Sequence, residues 1–259
     1  MNTSSPVNPI RKSLRKAAYR VAPQTAIEAY LRLRMLREVR RLVALGEQSD
    51  DLEPLMDELL RSYLFRPLQK RSELLRLLKI IREHKPSNVC EIGAAGGGTT
   101  MLFARAAAPE AALISIDLAF NEARREAVSR FARRKQRVVC IQGDSHSAET
   151  FDTVSNCLDG RALDLLYLDG DHSYDGVKLD FHAYAPLVRS GGLVVLHDIV
   201  PDFRTRYGKE TSSETGGVPQ FWREIRSSHR SVEEIVEDEG QDGFGIGVLH
   251  WDEKTPINV

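Results

Sequence analysis

Between Val89 and His197 the chain alternates short apolar runs with segments of helical periodicity, and this alternation limits what it can fold into. The apolar runs lie at 89–92, 113–116, 137–141, 163–168 and 193–197, and the stretches near 122–134, 148–158 and 174–187 read as helices. Strands that are apolar throughout and separated by helices need cover on both faces, as in a parallel sheet held between helical layers. The expected fold class is α/β and doubly wound. Two later runs, Val232 to Val236 and Gly245 to Trp251, flank a glycine-bearing turn. They are expected to pair as an antiparallel hairpin at the end of a mostly parallel, seven-stranded sheet.

Upstream, residues 1–23 are polar and basic, with Pro6, Pro9 and Pro23, and read as a flexible basic arm. Residues 24–67 read as a helical extension and 68–259 as the main domain. In the extension Ile27, Leu31, Met35, Val39, Leu42 and Val43 share one helical face, while Arg34, Arg37 and Arg41 share the other. That apolar face has to dock, on its own domain, on a second copy as a homo-oligomer, or on a membrane surface. A second helix is predicted over 52–63, with Pro54 in its first turn, and a third is predicted to be capped by Ser72 and to end before Pro86. A further helix near 218–227 carries Phe221 and Trp222.

With 36 basic and 37 acidic residues there is no global electrostatic case for nucleic acid. The cysteines Cys90, Cys140 and Cys157 lie far apart with no Cys-x-x-Cys spacing, which argues against a zinc ribbon or a disulfide framework. No apolar run approaches the roughly 18 residues of a membrane span, and the first residues lack a signal peptide's apolar centre. A cytoplasmic location is the expectation.

The chemistry-bearing residues sit where the strands end. Asn88 to Thr100 runs from a short strand through Gly93, Gly96, Gly97 and Gly98 into a helix that Thr99 or Thr100 could cap. Such a turn lets a ligand approach the backbone closely and aims free N–H groups at it, which suits a nucleotide-like cofactor. Each following strand ends in polar residues: Asp117 after the second, Asp144 and Ser145 after the third, Asp169, Asp171 and His172 after the fourth, His197 and Asp198 after the fifth. In open parallel sheets these ends border the ligand crevice.

Over about residues 68–250 the sequence resembles class I S-adenosylmethionine-dependent methyltransferases, whose fold is Rossmann-like. Glu91, Gly93 and Gly97 match the acidic-x-Gly-x-x-x-Gly turn, with Ala95 where many members have glycine. Asp-Gly-Asp-His-Ser-Tyr at 169–174, Gly-Gly-Leu-Val-Val-Leu-His-Asp at 191–198 and Gly-Val-Pro-Gln-Phe-Trp at 217–222 are similar to the branch of cephalosporin-hydroxylase-named proteins and bacterial sugar O-methyltransferases. The resemblance implies that Glu91, Gly93, Ala95 and Gly97 border the cofactor's amino-acid end, Asp117 its ribose, and Asp144 and Ser145 its adenine. It implies O-methylation of a small-molecule acceptor, a sugar, glycoside or phenol, with His172 and Asp169 catalytic. Mg²⁺ or another divalent cation is a second candidate cofactor, on Asp169, His197 and Asp198; His197 stands where metal-binding relatives supply a carboxylate. Tyr174, Phe221 and Trp222 are candidates for the acceptor pocket or the core. The alternatives are a non-catalytic binding or scaffold protein, and a nicotinamide oxidoreductase, whose Gly-x-Gly-x-x-Gly turn would need glycine at Ala95.

Overall fold

The computed structural model describes residues 24–229 and 231–252; the basic arm expected over 1–23 lies outside them. The chain begins with three helices, α1 (Gln24–Gly46), α2 (Glu53–Arg61) and α3 (Arg71–His84), and then alternates. β1 (Asn88–Ile92) is followed by α4 (Gly98–Ala106), β2 (Ala112–Asp117), α5 (Glu122–Ser129), β3 (Arg137–Gln142), α6 (Ala148–Leu158) and β4 (Leu163–Leu168). Next come α7 (Tyr174–Tyr184), β5 (Val188–His197), α8 (Phe203–Tyr207), α9 (Val218–Ser228), β6 (Val232–Ile235) and β7 (Ile246–His250).

The seven strands form one sheet in the order β3-β2-β1-β4-β5-β7-β6. β1 to β5 are parallel; β7 runs antiparallel to both β5 and β6. The expected hairpin is present, and its second strand inserts between β5 and the first. The period-two alternation of strand side chains divides the core between the two faces. Val89, Leu113, Leu165 and Leu193 lie in register and pack with α1 to α5 on one face. Cys90, Ile114, Leu166 and Val194 form the next row and pack with α6, α7 and α9 on the other.

The apolar face of α1 docks on its own chain: Met35, Val39 and Leu42 are buried with Phe120, Val128 and Phe131, and Arg32 Nε donates to Glu126 of α5 at 2.6 Å. The predicted Ser72 cap is absent. Lys70 occupies the N-cap position of α3 without a side-chain bond, and the Ser72 hydroxyl donates instead to Glu237 at 2.7 Å. The polar segment after Asp198 contains α8, capped by Asp202 accepting from the Thr205 N–H at 2.8 Å. Among the described residues no helix is long and apolar enough to cross a membrane.

Candidate active site

The sheet order reverses between β1 and β4, and the parallel strands end flush there: Ile92 pairs with Ile116 and Leu168, and Leu168 with Leu196. Such a reversal opens the crevice in which α/β sheets bind ligands. Gly93 follows at φ 85°, and a Cβ there would collide with the Asp169 carbonyl, so only glycine lets the two strand ends close up. Ala95 sits at φ 46°, left-handed for a residue with a Cβ, and its N–H donates to Asp117 Oδ2 at 2.7 Å. Thr99 and Thr100 are not caps. Both hydroxyls donate to the buried carboxyl of Glu91, joined by Ser115 at 3.1 Å. Burial pushes the Glu91 carboxyl up to about 7 despite these three bonds, which favour its charged form.

On one side of the turn lies a cavity of about 420 Å³ lined by Asp117, Leu118, Asp144, Ser145, His146 and Asp171, among others. Asp117 keeps Oδ1 on the Ala119 N–H at 2.7 Å. Asp144 accepts from the His146 N–H at 3.0 Å and leaves the capping of α6 to Ser147. Ser145 is anchored through its carbonyl, which accepts from Tyr184 Oη at 2.9 Å. Asp171 bonds the Ser173 N–H at 2.8 Å and faces this cavity rather than joining His172.

On the other side is a cavity of about 550 Å³, which shares Gly93, Ala95 and Asp169 with the first. Its floor gathers Asp169, His172, His197 and Asp198 from the ends of β4 and β5. His197 Nδ1 lies 3.0 Å from Asp169 Oδ1 and 3.3 Å from Asp198 Oδ2. His172 Nε2 is 3.7 Å from Asp169 Oδ1, and its Nδ1 is 3.4 Å from Asp198 Oδ2 and 2.5 Å from the Glu214 carbonyl. Asp198 adopts φ 61°, a left-handed conformation of the kind that recurs at functional sites.

Charge within this floor is strongly coupled. The hydrogen-bonded Asp169 carboxylate holds the His172 imidazolium up to about 9 against partial burial, with help from the Glu214 carbonyl and the Asp198 charge. Burial alone would pull His197 down, but Asp169 and Asp198 outweigh it and hold it up to about 10. Burial works against the Asp169 charge as well, yet the two imidazoles keep its carboxyl below the ordinary value. One donor atom each from Asp169, His172 and Asp198 lies within 4.8 Å of the others, close enough to share a cation. His197 touches both carboxylates through Nδ1, while its buried Nε2 has no hydrogen-bond partner among the described residues.

Sequence reading missed Gln69, which is buried and donates from Nε2 to Asp169 Oδ2 at 2.5 Å. It also missed Phe244, whose ring lies 6.1 Å from that of His197. The aromatic residues considered for the pocket belong to the core. Phe221 and Trp222 are buried, Trp222 Nε1 donates to Glu234 at 2.6 Å, and Tyr174 packs on Phe221 with its hydroxyl on Glu224 at 2.6 Å.

Residues 90–199 match the family model described as a methyltransferase domain. Among curated proteins, y4gI of Sinorhizobium fredii is 27% identical over 103 residues, which is 40% of this chain and only 10% of that protein's length. Among solved structures, the O-methyltransferase from Bacillus cereus in complex with SAH matches with a TM-score of 0.55 at 18% identity, over 82% of this chain and 99% of that one. The O-methyltransferase TomG from Streptomyces achromogenes, in complex with SAM, matches at 0.53 and 19% identity, over 78% and 91%. MycE, from the mycinamycin biosynthetic pathway, in complex with Mg, SAH and mycinamycin VI, matches at 0.50 and 18% identity, over 75% and 54%. At these identities the structures speak for the fold. The segment matching the methyltransferase-domain model runs from β1 to just past Asp198, 110 of the 259 residues, and the sheet around it has the Rossmann-like fold of these structures.

Proposed function

We propose that the protein is an S-adenosylmethionine-dependent O-methyltransferase acting on a hydroxyl of a sugar or a small natural product. The observation that carries this reading is the convergence of Asp169, His172, His197 and Asp198 on the floor of a cavity that opens onto the glycine turn. The residues fit the cofactor. Asp117, Ala95, Asp144 and Ser145 line a cavity of about 420 Å³ beside the turn, and Asp169 lines both this cavity and the larger one. S-adenosylmethionine bound there would supply a methyl group already activated on sulfonium sulfur, leaving alignment and desolvation to the protein.

His172 is the base in this reading. Its Nδ1–H is committed to the Glu214 carbonyl, so Nε2 is the nitrogen left to take the acceptor's proton. With the imidazole held up to about 9, turnover rises with pH through that value, because only the neutral ring accepts a proton. Asp169 and Asp198, with His197 Nδ1 at 3.0 and 3.3 Å from them as nitrogen donor, would suit a divalent cation; such an ion would supply Lewis acidity that lowers a hydroxyl's pKa. The larger cavity is lined by Thr211, Ser212, Ser213 and Glu214 as well as the four residues of its floor, with Phe244 as an aromatic neighbour, which favours a polyhydroxylated acceptor over a phenol.

Transfer of labelled methyl from S-adenosylmethionine to a panel of sugars, glycosides and phenols, with Mg²⁺ or with EDTA, tests the proposal. We expect transfer to a hydroxylated acceptor and a loss of about a hundredfold or more in His172→Ala. Absence of transfer to every acceptor by protein that binds the cofactor would overturn O-methylation. Equal rates in EDTA would remove the metal.

A further inference from the structure

The larger cavity has a wall that the proposed chemistry does not use. Arg66, just before the buried Gln69, and Arg204, in α8, both line it. They reach it from segments 138 positions apart in the sequence, and both side chains are exposed. Neither makes a hydrogen bond or ion pair among the described residues, although Arg204 is near enough to the capping carboxylate of Asp202 to favour that group's charge. Lys70, by contrast, is spent on Glu237 at 2.9 Å.

The acidic groups of the lining do not account for the two guanidiniums. Asp169 and Asp198 lie on the floor and are engaged by His172, His197 and Gln69. Glu214 is the remaining acid of the lining, one carboxylate against two cations, and Ser212 adds an exposed hydroxyl. An arginine presents a rigid fork of N–H donors that matches carboxylate and phosphate oxygens. Two such forks line one cavity together with Asp169, His172, His197 and Asp198.

We infer that Arg66 and Arg204 together bind an anionic group, a carboxylate or a phosphate monoester, on the hydroxylated acceptor of this site. The inference deepens the methyltransferase reading and rests on it. Acceptors of this class are uronic acids and sugar phosphates, and their charge would fix which hydroxyl reaches His172. The cofactor's own α-carboxylate has the same chemistry, so the test must separate the two sources.

Calorimetric titration of the full chain, free and saturated with S-adenosylhomocysteine, with glucuronate, glucose 6-phosphate and glucose does so. We expect one of the anions to bind the saturated protein at least about tenfold more tightly than glucose. Arg66→Ala and Arg204→Ala should each weaken that binding about tenfold, with melting temperature and glucose affinity unchanged. Equal affinity for glucose and both anions, or anion binding indifferent to both substitutions, would overturn the inference. So would anion binding that S-adenosylhomocysteine abolishes, which would assign the arginines to the cofactor's carboxylate. Failure of S-adenosylhomocysteine itself to bind would count against the methyltransferase reading, and the anion titration would then be read on the free protein.

Discussion

Asp117 and Asp198 lie at opposite sides of the glycine turn, and their partners separate their roles. Asp117 supports the turn by accepting from Ala95, whereas Asp198 is engaged with the two histidines of the larger cavity. Asp117→Ala should therefore weaken S-adenosylmethionine binding by about tenfold or more. Asp198→Ala should leave that affinity within about threefold and lower turnover by about a hundredfold. Calorimetry beside steady-state kinetics checks both, and indistinguishable effects would refute the division. The acidic strand ends were legible because strand termini are marked by a change from apolar to polar residues. Gln69 was not, because its partner is 100 positions away. Nor was Glu214, which acts through a carbonyl that no side-chain pattern marks. Thr99 and Thr100 stand where caps belong, but the buried Glu91 captures their hydroxyls first.

Among the elements, the strands and helices of the alternating region followed from hydrophobic period, while their spatial order did not. Strand period places side chains on faces; it does not tell β7 to enter between β5 and β6. The buried Glu73 is a second instance. Within an amphipathic helix it reads as a solvated residue, yet it accepts from Gln241 Nε2 at 2.8 Å and the Gly245 N–H at 3.0 Å, tying the β6–β7 connection to α3. That connection carries Phe244 to the cavity. The periodicity of α1 announced a buried face but not what covers it, and the structure packs that face on the chain's own core. Leu42→Ala should accordingly destabilise the protein by about 2–5 kcal/mol, read from urea unfolding. A loss under about 1 kcal/mol would mean that α1 contributes little to the fold.

At the scale of the whole molecule, the site's electrostatics are linked to stability. His172 and His197 have folded pKa values of about 9 and about 10, above the ordinary 6.5, so the folded state binds more protons across that interval. Their contribution is complete below pH 6.5 and is lost as pH rises through 9 and 10. Glu91, raised from 4.5 to about 7, acts in the same direction at lower pH. The melting temperature of the ligand-free protein should fall by at least about 4 °C between pH 6 and pH 10. Double substitution of His172 and His197 by Gln should flatten the upper part of that slope; an unchanged slope would contradict the coupling. The balance of 36 basic and 37 acidic residues gave no hint of this, because it reflects local placement and not net charge.

The turn from Glu91 to Gly98, the acids at the strand ends and the paired cavities all depend on one claim, that the crevice between β1 and β4 binds S-adenosylmethionine. Isothermal titration of the full chain with S-adenosylmethionine tests it most directly. Saturable one-site binding in the micromolar range is expected, competed by S-adenosylhomocysteine and weakened in Asp117→Ala. Absence of binding by protein whose cooperative unfolding shows it to be folded would contradict it.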